Sequence, residues 1–292
     1  MVQQLVALVE SLRPKGWSKN VLLYVGLVFA LRLSEPIAFL QATWAFVVFC
    51  CVSSSGYLFN DLADAEQDRQ HPRKRLRPIA SGRVSPAQAR ALGTVLLLVG
   101  LGGGFLLNLR FGLVTLAYVL LNVAYNSGLK RVVLVDVFVL ATFFVIRAVA
   151  GAVAIGVPIS PWLYVCTILA ALFLGLAKRR HELILLGDDA ASHRSILGEY
   201  SAALLEQLIT IVTSSLVMAY SLYAFSAENL PKDHSMMVTV PIVLFGIFRY
   251  LYLVHRRDLG GAPEEVLLGD RWMMATVLAL GLTSVAVLYL RS

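Results

Sequence analysis

The chain is poor in charge. Asp, Glu, Lys and Arg make up 15% of its 292 residues, against 58% hydrophobic residues, where a soluble domain carries roughly 25% charged residues. That shortage excludes an ordinary water-soluble domain and leaves a surplus of apolar surface that must face lipid. Cysteine is scarce too. Cys50, Cys51 and Cys166 all lie inside apolar runs, which excludes a disulfide framework and a CxxC metal site. Among the few histidines, His181, His193 and His255 show neither HxH nor HExxH spacing and read as interfacial side chains, not metal ligands. Low-complexity tracts, linkers and a second domain are missing, so residues 1–292 read as one domain. The first segment lacks a signal peptide's order of charge, apolar core and cleavage site. Residues 1–19 read instead as an amphipathic segment ending in Arg13-Pro14-Lys15-Gly16-Trp17-Ser18-Lys19.

What the chain has in quantity is apolar length. Runs near 20–33, 38–59, 87–107, 111–127, 134–156, 162–186, 201–226, 237–255 and 271–290 predict an all-α polytopic membrane protein of about nine transmembrane helices, each long enough to cross a ~30 Å hydrocarbon core. Most of the 25 Lys and Arg fall in the N-terminal segment and in the loops after the second, fourth, sixth and eighth runs. Only Arg32, Arg110, Lys232 and Arg291 lie on the other side, with Arg147 and Arg249 inside runs. The positive-inside rule then places the N-terminus and the long loops in the cytoplasm, in the inner membrane of the cell. The same asymmetry accounts for the net charge of +7 without nucleic acid.

One motif carries chemistry. In Gly56-Tyr57-Leu58-Phe59-Asn60-Asp61-Leu62-Ala63-Asp64-Ala65-Glu66-Gln67-Asp68, read as a helix, Asn60, Asp64 and Asp68 fall within about 80° of one another, with Asp61 at the edge of that arc. Clustered carboxylates need a counter-ion. Mg²⁺, a hard cation bound through one or two carboxylates plus substrate phosphates, suits such a set. The next residues, His71-Pro72-Arg73-Lys74-Arg75-Leu76-Arg77-Pro78-Ile79-Ala80-Ser81-Gly82, stop the helix at proline and bring four cations. Metal plus Lys and Arg is a way to clamp phosphoryl oxygens.

Together, Asn60-Asp61-x-x-Asp64-x-x-x-Asp68 and His71-Pro72-x-Lys74-x-x-Arg77-Pro78-Ile79-Ala80-Ser81-Gly82 closely resemble the first aspartate-rich motif of the UbiA prenyltransferase superfamily. The resemblance implies transmembrane helices around a central cavity, with Mg²⁺ and a diphosphate at the cytoplasmic mouth. It makes Asn60, Asp61, Asp64 and Asp68 the metal ligands, and the three aspartates catalytic.

The chain departs from members that alkylate aromatic rings. Those carry a second acidic motif after the sixth span, where this sequence reads Gly175-Leu176-Ala177-Lys178-Arg179-Arg180-His181-Glu182-Leu183. Asp188-Asp189 follows without the expected spacing. Cations in place of acids make a second metal less favourable and direct phosphate pairing more so. The departure resembles the decaprenyl-phosphate phosphoribosyltransferase branch. So do Arg13-Pro14-x-x-Trp17-x-Lys19-Asn20, Tyr125-Asn126-x-x-Leu129-Lys130, Ile146-Arg147-Ala148-x-Ala150-Gly151, Arg249-Tyr250, Gly261-x-Pro263-Glu264-Glu265 and Asp270-Arg271.

That branch implies two substrates, soluble phosphoribosyl diphosphate and a polyprenyl phosphate held in membrane lipid. The reaction is transfer of 5-phosphoribose toward a lipid-linked arabinose donor for cell-wall arabinan. Lys74 and Arg77 are then candidates for the diphosphate or the ribose 5-phosphate. Lys130, Arg179 and a catalytic Lys178 are candidates for the second substrate's phosphate. Lys19, Tyr125, Arg147 and Glu182 complete the expected substrate-binding set. Arg147 has two readings, an intramembrane pair with Asp136 or a contact with lipid phosphate. Tyr125 and Asn126 are interface anchors or hydrogen-bond donors to substrate, and Arg249-Tyr250 reads as an anchor. The lipid's length and a homo-oligomeric state stay open. A conventional aromatic prenyltransferase and a transporter are the rivals. The first needs the missing acidic motif, and the second needs an internal repeat and leaves the Asn/Asp face unexplained.

Overall fold

In the computed structural model, every regular element among the described residues (2–70, 74–186, 195–227, 230–257, 261, 266–267 and 269–290) is helical. In chain order these are α1 (Val2–Ser11), α2 (Val25–Phe29), α3 (Pro36–Ala63), α4 (Ala65–Gln70), α5 (Pro86–Leu107), α6 (Leu109–Ser127), α7 (Val135–Ala154), α8 (Pro161–Leu186), α9 (Ala202–Ser226), α10 (Val240–Arg256) and α11 (Arg271–Leu290). Among the described residues, seven segments are long and apolar enough to cross a membrane: α3, α5, α6, α7, α9, Ser235–Arg256 (which contains α10) and α11. The chain is a multi-pass membrane protein. α8 has 26 residues, and an apolar run from Trp162 to Ala177 precedes its basic end.

The run near 20–33 is not one long helix. A 3₁₀ helix occupies Pro14–Tyr24, the five-residue α2 follows, and Leu31 turns the chain at φ 59°. Apolar length marks a segment suited to lipid but does not set its pitch. The count of nine regular spanning helices is therefore not reproduced here.

The chain divides into two compact units. The first comprises Met1–Leu27, Glu35–Leu129 and Ile146–Val157. Prolines open α3 and α5, where the missing N–H costs nothing. Ser85 and Gln88 form a reciprocal capping box on α5. Asn108 closes α5 and caps α6, its Oδ1 accepting the Phe111 N–H at 2.8 Å. Helices α3 and α5 approach closely: Ser55 donates to the Gly93 carbonyl at 2.8 Å and Trp44 to the Gly103 carbonyl at 2.9 Å. Small residues permit such contacts between membrane helices. Outward, Val95, Leu98 and Leu106 of α5 are exposed and form a lipid-facing band. Ala7, Leu58, Ile79, Val84 and Ala89 pack α1 and the loop after α4 against the ends of α3 and α5. On α7, a Cβ added at Gly151 would collide with the Leu23 carbonyl, so the 3₁₀ segment rests backbone-first on that helix.

The second unit comprises Val28–Ser34, Lys130–Val145 and Pro158–Ser292. Its core gathers Phe173, Leu176, Ile196, Tyr200, Leu205 and Tyr250, with the Phe173 and Tyr250 rings edge to face at 5.1 Å. Ser201 caps α9 by accepting the Leu204 N–H. Asp270 caps α11 by accepting the N–H groups of Trp272 and Met273. The Arg249 guanidinium meets the same carboxylate, at 3.1 Å from Nε and 2.7 Å from one Nη. Arg249 thus locks α10 to the start of α11.

Candidate active site

The acidic motif lies where α3 stops at Ala63 and α4 resumes at Ala65. Asp64 sits between them at φ −93°, ψ 3°. The backbone hydrogen bonds from Asp64 N–H to the Asn60 carbonyl and from Asp68 N–H to the Asp64 carbonyl nonetheless run on across this point. Asp61, placed at the edge by sequence, is instead central. Asp61 and Asp68 are both buried, at 3% exposure. A single Arg77 nitrogen donates to Asp61 Oδ1 at 3.1 Å and to Asp68 Oδ2 at 2.6 Å. Arg13 donates to the same Asp61 oxygen at 2.5 Å. Asn60 and Asp64 are half-buried. Among the described residues no three His, Cys, Asp or Glu side chains converge into a ready-made metal cluster.

The charge logic is plain. Two carboxylates taken out of water beside one another require a cation between them. Arg77 occupies that position. A place where one cationic atom meets oxygens of both aspartates has the donor chemistry for a divalent ion, so the residues fit Mg²⁺. Nothing in the spacing of the acidic motif points to Arg13, whose Arg-Pro step lies far upstream in the chain. Its backbone is left-handed at φ 54°, uncommon without glycine. Its guanidinium lies over the Tyr57 ring at 5.0 Å.

Arg147 is buried in the first unit at 3% exposure. Its Nε donates to Asn20 Oδ1 at 2.8 Å, and a terminal nitrogen donates to the Tyr118 hydroxyl at 2.8 Å. The cation also stands 5.0 Å over the Tyr118 ring. Asn20 in turn donates to Cys50 Sγ at 3.3 Å, and Trp17 donates to Ser54 at 3.0 Å. This buried polar cluster joins the 3₁₀ segment to α3, α6 and α7. Asp136 lies eleven residues before Arg147 on α7, a rise of about 16 Å in a regular helix.

Asp136 belongs to the second unit, with Arg179. Arg179 Nε donates to Asp136 Oδ2 at 2.6 Å, and Nη1 donates to Glu182 at 2.5 Å. The Tyr200 hydroxyl donates to Asp136 Oδ1 at 2.8 Å and accepts the Leu134 N–H at 2.8 Å. Burial above all pushes the Tyr200 phenol up to about 12, with the Asp136 hydrogen bond adding to the rise, so it stays a protonated donor. The expectation that Arg179 is held open for a phosphate meets this geometry: at 1% exposure, it is engaged by two carboxylates, as a buried guanidinium must be. Arg180 pairs with Glu206 at 2.9 Å.

Lys178 is half-buried on α8, Lys130 half-buried in the 3₁₀ turn Leu129–Arg131, Tyr125 half-buried on α6 and Lys19 half-buried beside Asn20. Lys74 is exposed in the 3₁₀ turn Lys74–Leu76. His71, Pro72, Arg73, Asp188, Asp189, His193, Pro263, Glu264, Glu265 and Arg291 lie outside the described residues.

Comparison with known proteins follows the same lines. The model of the UbiA prenyltransferase family matches residues 21–268. The chain is 34% identical over 275 residues to the decaprenyl-phosphate phosphoribosyltransferase of Mycobacterium tuberculosis, covering 93% of this chain and 90% of that protein. It is 34% identical over 281 residues to the protein of the same name from Corynebacterium glutamicum, covering 93% and 83%. The fold is similar to that of a UbiA homologue from Archaeoglobus fulgidus solved with GPP and Mg²⁺, at a TM-score of 0.74 and 17% identity, covering 97% of this chain and 99% of that one. With its aspartate-rich motif, its helical membrane fold and a family match spanning most of its length, this chain belongs to the UbiA prenyltransferase family.

Proposed function

We propose that the protein transfers 5-phosphoribose from phosphoribosyl diphosphate to a polyprenyl phosphate of the decaprenyl type. A phosphate oxygen of the lipid forms a bond to ribose C1 as the bond from C1 to the diphosphate oxygen breaks, and diphosphate leaves. The observation that carries this reading is the 34% identity sustained over 93% of the chain to enzymes named for it. The basic end of α8, where an acidic motif would serve a second metal, favours it over prenylation of an aromatic ring.

The nucleophile is already an anion at neutral pH, so the chemistry needs no general base. The work is to stabilise the leaving group and to position two anions that repel each other. Asp61 and Asp68 would hold Mg²⁺, with Asn60 and Asp64 beside them. Bound there, the ion supplies neutralising charge to the departing diphosphate. Arg77 and Lys74 face diphosphate or ribose 5-phosphate oxygens, and Arg13 holds Asp61 in place. Arg147, held by Asn20 and Tyr118, serves the lipid phosphate. Lys19, Tyr125, Lys130 and Lys178 contribute hydrogen bonds and charge to the two phosphates. Glu182 and Arg179 keep the end of α8 in shape. The active face is cytoplasmic and the membrane is the inner one, as the basic loops indicate.

The test is a paired turnover assay on the purified protein in detergent with Mg²⁺. One reaction holds polyprenyl phosphate and labelled phosphoribosyl diphosphate. The other holds a prenyl diphosphate and an aromatic acceptor. Label entering the lipid phase in the first alone is the expected result. Product only in the second would overturn the proposal.

A further inference from the structure

The first unit contains a second feature suited to phosphate, apart from the Asp61–Asp68 pair. A cavity of about 360 Å³ lies between the end of α3, the loop after α4 and the start of α5, lined by Leu62, Ile79 and Val84 and edged by Arg69, Ser85 and Arg90. Ile79 and Val84 belong to the buried cluster beneath it, and Leu62 packs against that cluster. The floor is therefore apolar and rigid. The edge is cationic and only partly neutralised. Arg69 pairs with Glu66 at 2.5 Å and donates from Nε to the Ala80 carbonyl at 3.3 Å. Arg90 has no hydrogen-bond or ion-pair partner among the described residues. Ser85 accepts the Gln88 N–H at 3.2 Å, and its own hydroxyl proton remains available for donation.

Position decides what such a cavity binds. Leu62 is on the last turn of α3, and Arg90 directly precedes the apolar run of α5. The cavity thus lies where the spanning segments give way to charge, at the depth of lipid headgroups. A guanidinium binds a phosphate oxygen with charge-assisted hydrogen bonds. The apolar floor accommodates the glycerol and first acyl carbons. A soluble phosphate gains nothing from that floor. A zwitterionic headgroup brings an ammonium toward the unneutralised Arg90. Basic pockets beside membrane helices are suited to anionic headgroups on both counts. We propose that this cavity is a binding site for the phosphate headgroup of an anionic membrane phospholipid. It does not depend on the identity of the transferred group.

The full-length protein in detergent is titrated with dioleoyl phosphatidylglycerol and the adducts are resolved by native mass spectrometry. Dioleoyl phosphatidylcholine and glycerol phosphate serve as the comparison ligands. One phosphatidylglycerol adduct is expected to bind more tightly than phosphatidylcholine and to resist glycerol phosphate. In Arg90→Gln it should weaken roughly tenfold, the worth of one charged hydrogen bond. Arg90→Lys should restore part of the loss. Arg90 is exposed and outside the reaction chemistry, so Arg90→Gln should keep its fold and its basal turnover. Undiminished phosphatidylglycerol binding in Arg90→Gln would overturn the proposal. So would equal binding of phosphatidylcholine, or displacement of the adduct by glycerol phosphate alone.

Discussion

Arg179 and Asp136 meet inside the second unit with Nε 2.6 Å from Oδ2, and both side chains are shut away from solvent. The pair ties α8 to the start of α7. Tyr200 extends it by donating to the other Asp136 oxygen.

Asp136→Asn should therefore destabilise the protein by about 3–5 kcal/mol, because it strands part of a buried guanidinium charge. The measurement is loss of helical circular dichroism as denaturing detergent is added. The double variant Asp136→Leu with Arg179→Met removes both charges and should recover much of the loss. An Asp136→Asn protein as robust as the parent would show that the pair carries no weight.

Asp61→Asn and Asp68→Asn keep the side-chain shape but remove the charge that Arg77 bridges. Each should lower turnover by roughly 10²–10³-fold, the scale of losing one electrostatic contact to developing charge. Both should raise the Mg²⁺ concentration needed for half-maximal rate, and unchanged Mg²⁺ dependence would remove the metal assignment. Asp64→Ala should abolish turnover in a protein that still folds in detergent.

Lys178→Asp should raise the apparent KM for one phosphate substrate. Unchanged kinetics would return the lysine to the role of a positive anchor at a helix end. Arg147→Met should act differently, with loss confined to the lipid substrate. Because Asn20 and Tyr118 hold Arg147, Asn20→Ala should reproduce a fraction of that loss.

These sites differ in how far the sequence disclosed them. The fold class was legible because a shortage of charge over so many long apolar runs has few solutions. Asp61 and Asp68 lie seven residues apart and so share a helix face, yet the Arg77 nitrogen that joins them comes from the loop beyond the helix, where helical spacing does not reach. Arg13 lies 48 residues before Asp61, and no periodicity links them. Helical spacing defines a face but not the reach of a side chain, so it did not disclose Asn20 and Tyr118 as partners of Arg147 or Arg179 as a partner of Asp136. Tyr200 was not noted at all: a lone tyrosine before a helix carries no pattern. Gly151 is one of several glycines within the apolar runs that suit close helix packing, and what presses against it is the Leu23 carbonyl. Gly151→Val should cost about 1–3 kcal/mol, as overpacking does, and lower the yield of folded protein.

Asp270 accepts from Arg249 and from two backbone N–H groups of α11. The Arg249 hydrogen bond, more than the helix end, holds its carboxyl below the usual 3.8. A carboxylate with a lowered folded value stabilises the fold wherever it is ionised in both states. That stabilisation is complete above the unfolded value and fades as pH falls through the lower folded one. Arg249→Gln removes the main cause of the lowering. The variant should therefore unfold faster than the parent at pH 7, and the gap between them should close below about pH 4. Unfolding rates of both proteins in detergent at pH 7 and pH 3 decide the matter. A gap that persists undiminished at pH 3 would mean that Arg249 supports the junction of α10 and α11 through its guanidinium, 5.2 Å over the Tyr252 ring, not through the charge of Asp270.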